Sequence, residues 1–476
     1  MKILLYTWFL LILSNFTVAS QVKLDRDKCR EMALEYSRQL QLSQNQKEQA
    51  LLDRKIAKAG YLPKFSASGT YLYKPDALEY SLEGGYLPTY IPDDQGIMQP
   101  NLMQNPVTGQ PVTGPDGNPV FNMYANMPDM NINVGLEGVT MAGVEVQQLV
   151  YMGGKIRAAN KLAKTGVDIA SLQIEQSVAE VLVKTDKAFY QLVAVQSKKT
   201  AAKEYKTLLD SLVSNIKAGM EEGIATRNDL LKAQVKRNDA ILMVQKAQSA
   251  EKLAAMNLCR IIGLPLQSDI SVTLPQKDSL LSVELTDSVN NINRRPEYQM
   301  LSKVIDIKEY EAKMARAEML PEVGVSAGYH YFDGLELNGK GNDEMSFIAL
   351  ASVKIPVFKW FEERNKLTKA KLEARAAELN LEETEKLLQL EIAQAKFNLE
   401  DAVKRYELTL TALEQAEENL ETSRQQYEEG LETLVNLLEA QAQWQEAQSE
   451  HIDARTSVKL AETKYLKAIG ELNKTD

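Results

Sequence analysis

The chain is poor in the residues that build reactive centres. It holds two histidines, His330 and His451, and two cysteines, Cys29 and Cys259. A zinc or acid–base site would have to be assembled almost without imidazole, which argues against an enzyme. Two cysteines do not make a disulfide framework; they either pair once or serve as small packing residues. No run beyond residue 20 reaches the roughly 20 apolar residues of a membrane-spanning helix, so a mature chain that crosses a membrane does so as strands. Positive charge is also in deficit. The net charge is −10, and no nucleic-acid partner is expected.

The start of the chain is different. Lys2 precedes the apolar run "ILLYTWFLLIL", and small residues follow in "VAS" before Gln21. This is the pattern of a secretory signal, with cleavage expected after Ser20 and residues 1–20 removed. The other reading, an uncleaved anchor helix, asks for a longer apolar run.

The remaining chain repeats itself. "MEEGIATRNDLLKAQV" (220–235) returns as "YEEGLETLVNLLEAQA" (427–442), an offset of 207 between Gly223 and Gly430 (430 − 223). The same offset relates Val150 to Val357, Arg157 to Arg364 and Gly263 to Gly470, with no gap between. Upstream, "AKAGYLPKFSASGTYLY" (57–73) matches "ARAEMLPEVGVSAGYHY" (315–331) at an offset of 258, so the first copy carries 51 extra residues (258 − 207) between Tyr73 and Val150. A first repeat over 21–262, a linker over 263–286 and a second repeat over 287–476 follow.

Each repeat has a long proline-free stretch with apolar residues at 3–4 spacing, such as Ile156, Ala159, Ala163, Val167, Ala170 and Ile174 in the first copy. Periodic runs of this length suggest coiled coils or similar arrays. Gly223 and Gly430 can take the left-handed conformation that ends a helix. Thr226 and Thr433 can cap the next one, with Asp229 completing a capping box in the first copy. Each repeat therefore contains a helical hairpin with its tip at the glycine.

Four segments alternate with a period of two: 65–73, 131–150, 323–332 and 346–358. They have at least the 9–11 residues of a tilted membrane strand. Four strands cannot close a barrel, because the smallest have about eight, and lipid does not tolerate open edges. Copies of the chain must then pool their strands. Between the first two strands, residues 74–130 hold nine of the fifteen prolines and read as a long irregular surface loop. Met98, Met103, Met123, Met127 and Met130 within it suit Cu(I) as soft ligands, but adaptable apolar packing is the preferred reading. No metal and no cofactor are expected.

The paired "LP" strand entries, "LVYMGGKIRAA" with "PVFKWFEERNK", and the tips "EEGIATRNDLLKAQ" and "EEGLETLVNLLEAQ", together resemble the TolC-like outer membrane efflux proteins over nearly the whole mature chain. The resemblance implies a mainly α fold with a transmembrane β portion. In it, a homotrimer forms a twelve-stranded β-barrel in outer-membrane lipid and a long α-barrel of helical hairpins in the periplasm of a Gram-negative bacterium. It implies a passive duct without enzymatic activity, docked through a periplasmic adaptor to an inner-membrane pump, in an efflux or type I secretion system. Carried over by position, Gly223, Ile224, Gly430 and Leu431 match tip segments that contact the adaptor. Asp229 and Tyr427 match an acidic and an aromatic gate residue, and Asn436 and Glu439 match two positions of acidic rings near the constriction. Asp229 can equally be a cap alone, Tyr427 can equally pack between helices, and Glu439 reads first as a solvated charge. Asn436 departs from the pattern in being uncharged, and Glu432 stands where a gate-tying arginine is usual. The competing class is a periplasmic coiled-coil scaffold that never enters the membrane.

Overall fold

A computed structural model describes residues 22–73, 75, 78–135, 138–273, 292–337 and 340–474. The expected signal segment and most of the inter-repeat linker lie outside the described residues. The contacts divide the chain into a helical unit (Met1–Ala57, Arg157–Arg316 and Trp360–Asp476) and a sheet unit (Lys58–Ile156 and Ala317–Lys359).

The helices are α1 (Arg26–Tyr36), α2 (Arg38–Ala59), α3 (Lys155–Glu221), α4 (Arg227–Ile262), α5 (Pro296–Ala317), α6 (Glu362–Glu428) and α7 (Leu434–Ala468). Helices α3 and α6 each run 67 residues, about 100 Å at 1.5 Å per residue. Both ends of α6 lie 207 residues after those of α3 (362 − 155 and 428 − 221), and α5 begins and ends 258 after α2 (296 − 38 and 317 − 59). The duplication is thus a duplication of structure as well as of letters. No helix among the described residues is long and apolar enough to cross a membrane.

Three apolar cores run through the helical unit. One gathers α1, α3 and α4 around Phe189, Leu192 and Leu258, with the short parallel pair β1 (Val22–Leu24) and β10 (Ile270–Val272). Cys29 and Cys259 both belong to it, fully buried and unpaired, so they are packing residues. Burial pushes the Cys29 thiol up to about 12. A second core joins α3, α6 and α7 around Leu399 and Tyr465, and a third lies beneath the hairpin tips.

The sheet unit is built on β2 (Lys64–Leu72), β9 (Val139–Met152), β11 (Glu322–Leu337) and β12 (Lys340–Lys354), ordered β2-β9-β11-β12 and antiparallel throughout. The expected strand over 131–150 is two strands. It breaks at Gly138, whose φ of +80° lies outside strand geometry, leaving β8 (Met130–Gly135) ahead of β9. The strand expected over 346–358 stops at Lys354, two residues before Pro356, which has no N–H for a ladder.

The stretch expected as an irregular loop is folded back on itself. Its limbs pair as β3 (Leu78–Leu82) with β8, β4 (Gly85–Pro88) with β7 (Tyr124–Met127), and β5 (Tyr90–Pro92) with β6 (Met98–Pro100). Met98, Met103, Met123 and Met130 are exposed along this ribbon. After β9 the chain turns through Gly153 and Gly154 at φ +59° and +87°. A Cβ on Gly153 would come within 2.7 Å of Ala317 O and 2.8 Å of Leu320 Cβ, so glycine is required there. In the second copy Trp360 and Phe361 occupy the equivalent positions (153 + 207 and 154 + 207), at φ 48° and 64°. Left-handed geometry costs a non-glycine residue roughly 1–2 kcal/mol.

Candidate functional site

Antiparallel register decides which residues share a face of the sheet. Along β2, Lys64, Ser66, Ser68 and Thr70 lie opposite Gln147, Glu145, Gly143 and Met141 of β9. On β11 the same face continues through Ser326, Gly328 and His330, and on β12 through Ser352 and Ser346, with Leu350 and Ile348 interrupting it. The other face carries Phe65, Ala67 and Tyr71, then Val146 and Val144, then Val325, Ala327 and Tyr329, then Ala351, Ala349 and Phe347. One face is therefore mostly polar or small and the other apolar. Phe65, Tyr71, Val144, Tyr329 and Phe347 are exposed on the chain as it stands. The strands have 9 to 16 residues, enough to cross a bilayer when tilted. His330 sits against Gly143, where an added Cβ would fall 2.6 Å from its Nδ1. The alternation of single residues was legible in the sequence, but the seating of His330 over a distant glycine was not.

The second region is the pair of hairpin tips. Helix α3 ends at Glu221, Gly223 takes φ +78°, and Ile224 N donates to Gly219 O at 2.7 Å. Thr226 caps α4 by accepting from Asp229 N at 3.2 Å, while Asp229 Oδ2 accepts from Thr226 N at 3.3 Å. The second tip repeats the turn. Gly430 takes φ +75°, Leu431 N donates to Gln426 O at 2.8 Å, and Thr433 accepts from Asn436 N at 3.4 Å. Asn436 returns no bond of the kind Asp229 makes, so the second cap is half of the first. Ile224 and Leu431 are the outermost apolar groups, 80% and 75% exposed.

One core underlies both tips. Leu209, Leu212 and Ile216 of α3, Leu230 of α4, and Leu434, Leu437 and Trp444 of α7 pack together, with Tyr427 of α6 half-buried against them. This brings Asp229 and Tyr427, 198 residues apart (427 − 229), into electrostatic contact. The Tyr427 phenol is raised above its ordinary value, first by burial and then by the Asp229 charge. Asn436 and Glu439 are exposed on α7, and Glu439 accepts from Gln443 Nε2 at 3.4 Å. One carboxylate oxygen of Glu432 is shielded from solvent without a hydrogen-bond donor.

Beside this core, α4 and α7 leave an apolar groove of about 660 Å³ lined by Leu231, Val235, Val435, Leu438 and Ala442, with Lys232 and Glu439. Leu231 and Leu438, Val235 and Ala442, and Lys232 and Glu439 are repeat-equivalent pairs at the 207 offset. The 207 offset in the sequence held that signal.

An amphipathic four-stranded sheet of membrane-spanning length, with long helical hairpins that end in capped glycine turns, defines a β-barrel channel protein with a helical extension. The profile of the outer membrane efflux proteins matches residues 119–264 and 290–471, and the chain belongs to that family. It is an export channel of the outer membrane that extends into the periplasm, not an enzyme. The chain is 23% identical to protein CyaE of Bordetella pertussis over 350 residues, 72% of this chain and 73% of that protein. Among solved structures, the CmeC outer membrane channel of Campylobacter jejuni matches with a TM-score of 0.70 at 17% identity, covering 94% of this chain and 86% of that one. The outer membrane protein VceC of Vibrio cholerae matches with a TM-score of 0.70 at 15% identity, covering 94% and 96%.

Proposed function

We propose that three copies of this chain pool their four strands into one barrel and their hairpins into one tunnel. The assembly is a passive duct that docks a periplasmic adaptor and an inner-membrane pump of an efflux or type I secretion system. One observation carries this reading. The β2-β9-β11-β12 sheet has an apolar face, and among the described residues the outer edges of β2 and β12 have no partner strand. Lipid does not tolerate such edges, and joining edge to edge between copies removes them. Cleavage of residues 1–20 by a signal peptidase accords with this destination.

The gate in this reading is the tip region. Asp229 and Tyr427 lie together beneath it, and Asn436 and Glu439 are exposed beyond it. Gly223, Ile224, Gly430 and Leu431 supply the adaptor-facing turns. One oxygen of Glu432 is shielded and has no hydrogen-bond donor among the described residues, and position 432 is not an arginine, so a gate tied by an arginine at this position is not part of the proposal.

The test is reconstitution of the detergent-purified protein. A mass of three protomers by native mass spectrometry, with discrete conductance steps in planar bilayers, is expected. A water-soluble single-copy rod would reject the reading. A ring of carboxylates in a narrow mouth favours cations, so E439Q should shift the reversal potential toward anions. An unchanged potential removes Glu439 from the filter.

A further inference from the structure

Above the tip core, α3 and α7 are joined by Thr463 donating to Asp186 and by the Lys198–Asp453 ion pair at 2.7 Å. Helix α4 packs on α3, and α6 packs on α7. The order is therefore α4-α3-α7-α6, with α4 and α6 outermost. Each carries an apolar stripe away from these cores. On α6, Leu372, Leu390 and Leu408 are spaced by 18 residues (390 − 372, 408 − 390), as are Leu379 and Phe397 (397 − 379). Eighteen residues make five turns, so the stripe runs straight along the helix. Its members are 50–72% exposed. On α4, Leu231, Leu242 and Leu253 are spaced by 11 residues (242 − 231, 253 − 242), about three turns, and are 46–67% exposed. Large apolar groups aligned in this way mark a surface that a partner covers.

The charges on the two edges are opposite in sign. Between Tyr406 and Ser423, α6 has five glutamates and no lysine or arginine. Helix α4 has seven basic residues against three acids, and of those acids Asp229 serves the cap and Glu251 pairs with Lys199. Glu407, Glu414 and Glu418 of α6, and Lys236, Lys246 and Lys252 of α4, are exposed and make no ion pair among the described residues. The two tips share one core, so residues equally far from them lie level. Rotation about an axis along the helices keeps them level. Lys246 is 19 residues into α4 (246 − 227), the height of Thr409 on α6 (428 − 19). Glu407 and Glu414 bracket that height.

We infer that the partner of each outer edge is a second copy of this chain, α6 of one copy lying on α4 of the next in a seam both apolar and ionic. Unlike edges that fit each other generate a ring rather than a two-fold pair. The seam presupposes the side-by-side copies proposed above and adds how the helical wall is held between them. The strand edges close the barrel through backbone hydrogen bonds, whereas opposed charges set the partner and register of the helices. Salt shortens the reach of exposed charges from about 10 Å at 0.1 M to about 3 Å at 1 M, so the helical seam loosens at a salt concentration that the barrel withstands.

The test is zero-length carbodiimide cross-linking of the full chain purified in detergent, which joins a lysine to a carboxylate it touches. Covalent dimers and trimers on a denaturing gel are expected, with the Lys246 peptide joined to the peptide that holds Glu407 or Glu414. K246E removes the amine and should abolish that link. K246E/E407K/E414K exchanges the roles and should restore it. All three side chains are exposed, so the cores are untouched. Native mass spectrometry of untreated protein runs alongside. A trimer that yields only single-chain bands after cross-linking would overturn the seam and leave the channel reading standing, whereas a single copy would overturn both. Links confined to two α6 edges, or no restoration in the exchanged variant, would also overturn the seam. The unmodified chain decides the matter even if a variant fails to fold.

Discussion

Asp186 is fully enclosed and takes both branches of the Arg30 guanidinium, Nε at 2.8 Å and Nη2 at 2.6 Å. Thr463 Oγ1 donates to the same carboxylate at 2.8 Å. Three helices, α1, α3 and α7, therefore meet on one buried charge. Removing the cation alone strands that charge, which typically costs about 3–5 kcal/mol, whereas replacing both partners by apolar groups is often close to neutral. R30M should lower the apparent melting temperature in detergent sharply, by circular dichroism, and R30M/D186L should recover most of the loss. A double variant no better than R30M would assign the loss to packing of the Arg30 stem instead.

This pair was not legible in the sequence, for a physical reason. The repeat exposes only what both copies share, and the equivalents of Arg30 and Asp186 are Ser288 (30 + 258) and Ala393 (186 + 207). The hairpins were legible because glycine, threonine and a 3–4 stripe are local requirements stated twice. The strand alternation was legible for the same reason. What failed was local chemistry overridden by a single residue, as at Gly138, or pairing between distant limbs, as in the ribbon over 78–134. The turn at Trp360 and Phe361 lies between these cases. Its glycine partner revealed the position, but nothing in the letters said that two aromatic residues would adopt left-handed backbone. At the tips, the sequence named Asp229 and Tyr427 separately, and only the shared core placed them together.

The unequal caps make a second prediction. Thr226 and Asp229 bond reciprocally, while Thr433 has only the Asn436 amide. Losing an N-cap costs about 1 kcal/mol, or roughly fivefold in local opening. T226A should raise amide exchange over the first turn of α4 by about that factor, and T433A should raise it less in α7. The comparison also separates two roles of Asp229. T226A breaks the cap but keeps the charge, so a conductance change in D229A that is absent in T226A assigns Asp229 to the gate. Equal changes in both would leave it a cap only.

Tyr427 gives the tip a dependence on alkaline pH. Its phenol is raised above the unfolded value of 10.0, with burial the larger cause and Asp229 the smaller. The folded tip therefore holds a proton that the unfolded chain releases. Stability is fully present below about pH 10 and falls as pH rises through the folded value. Amide exchange at the ends of α3 and α6, corrected for its intrinsic pH dependence, should accelerate above pH 10. Y427F should abolish the acceleration while leaving the neutral-pH rates close to those of the unmodified chain. An unchanged acceleration in Y427F would place its origin in another group.

Ser66 and Ala67 are neighbours on β2 whose side chains point to opposite faces, Ser66 facing Glu145 and Ala67 facing Val144 on β9. If the apolar face meets lipid, an arginine there costs about 2–4 kcal/mol at mid-membrane, while one in an aqueous lumen is tolerated. A67R should cut the yield of assembled protein in the outer-membrane fraction strongly. S66R should assemble near the normal level, helped by Glu145, and should shift the reversal potential toward anions by adding positive charge to the lumen. Equal yields for the two variants would mean that the faces are not divided between lipid and water. The alternation along β2 would then be the pattern of an ordinary two-sided soluble sheet, and the pooled barrel would lose its support.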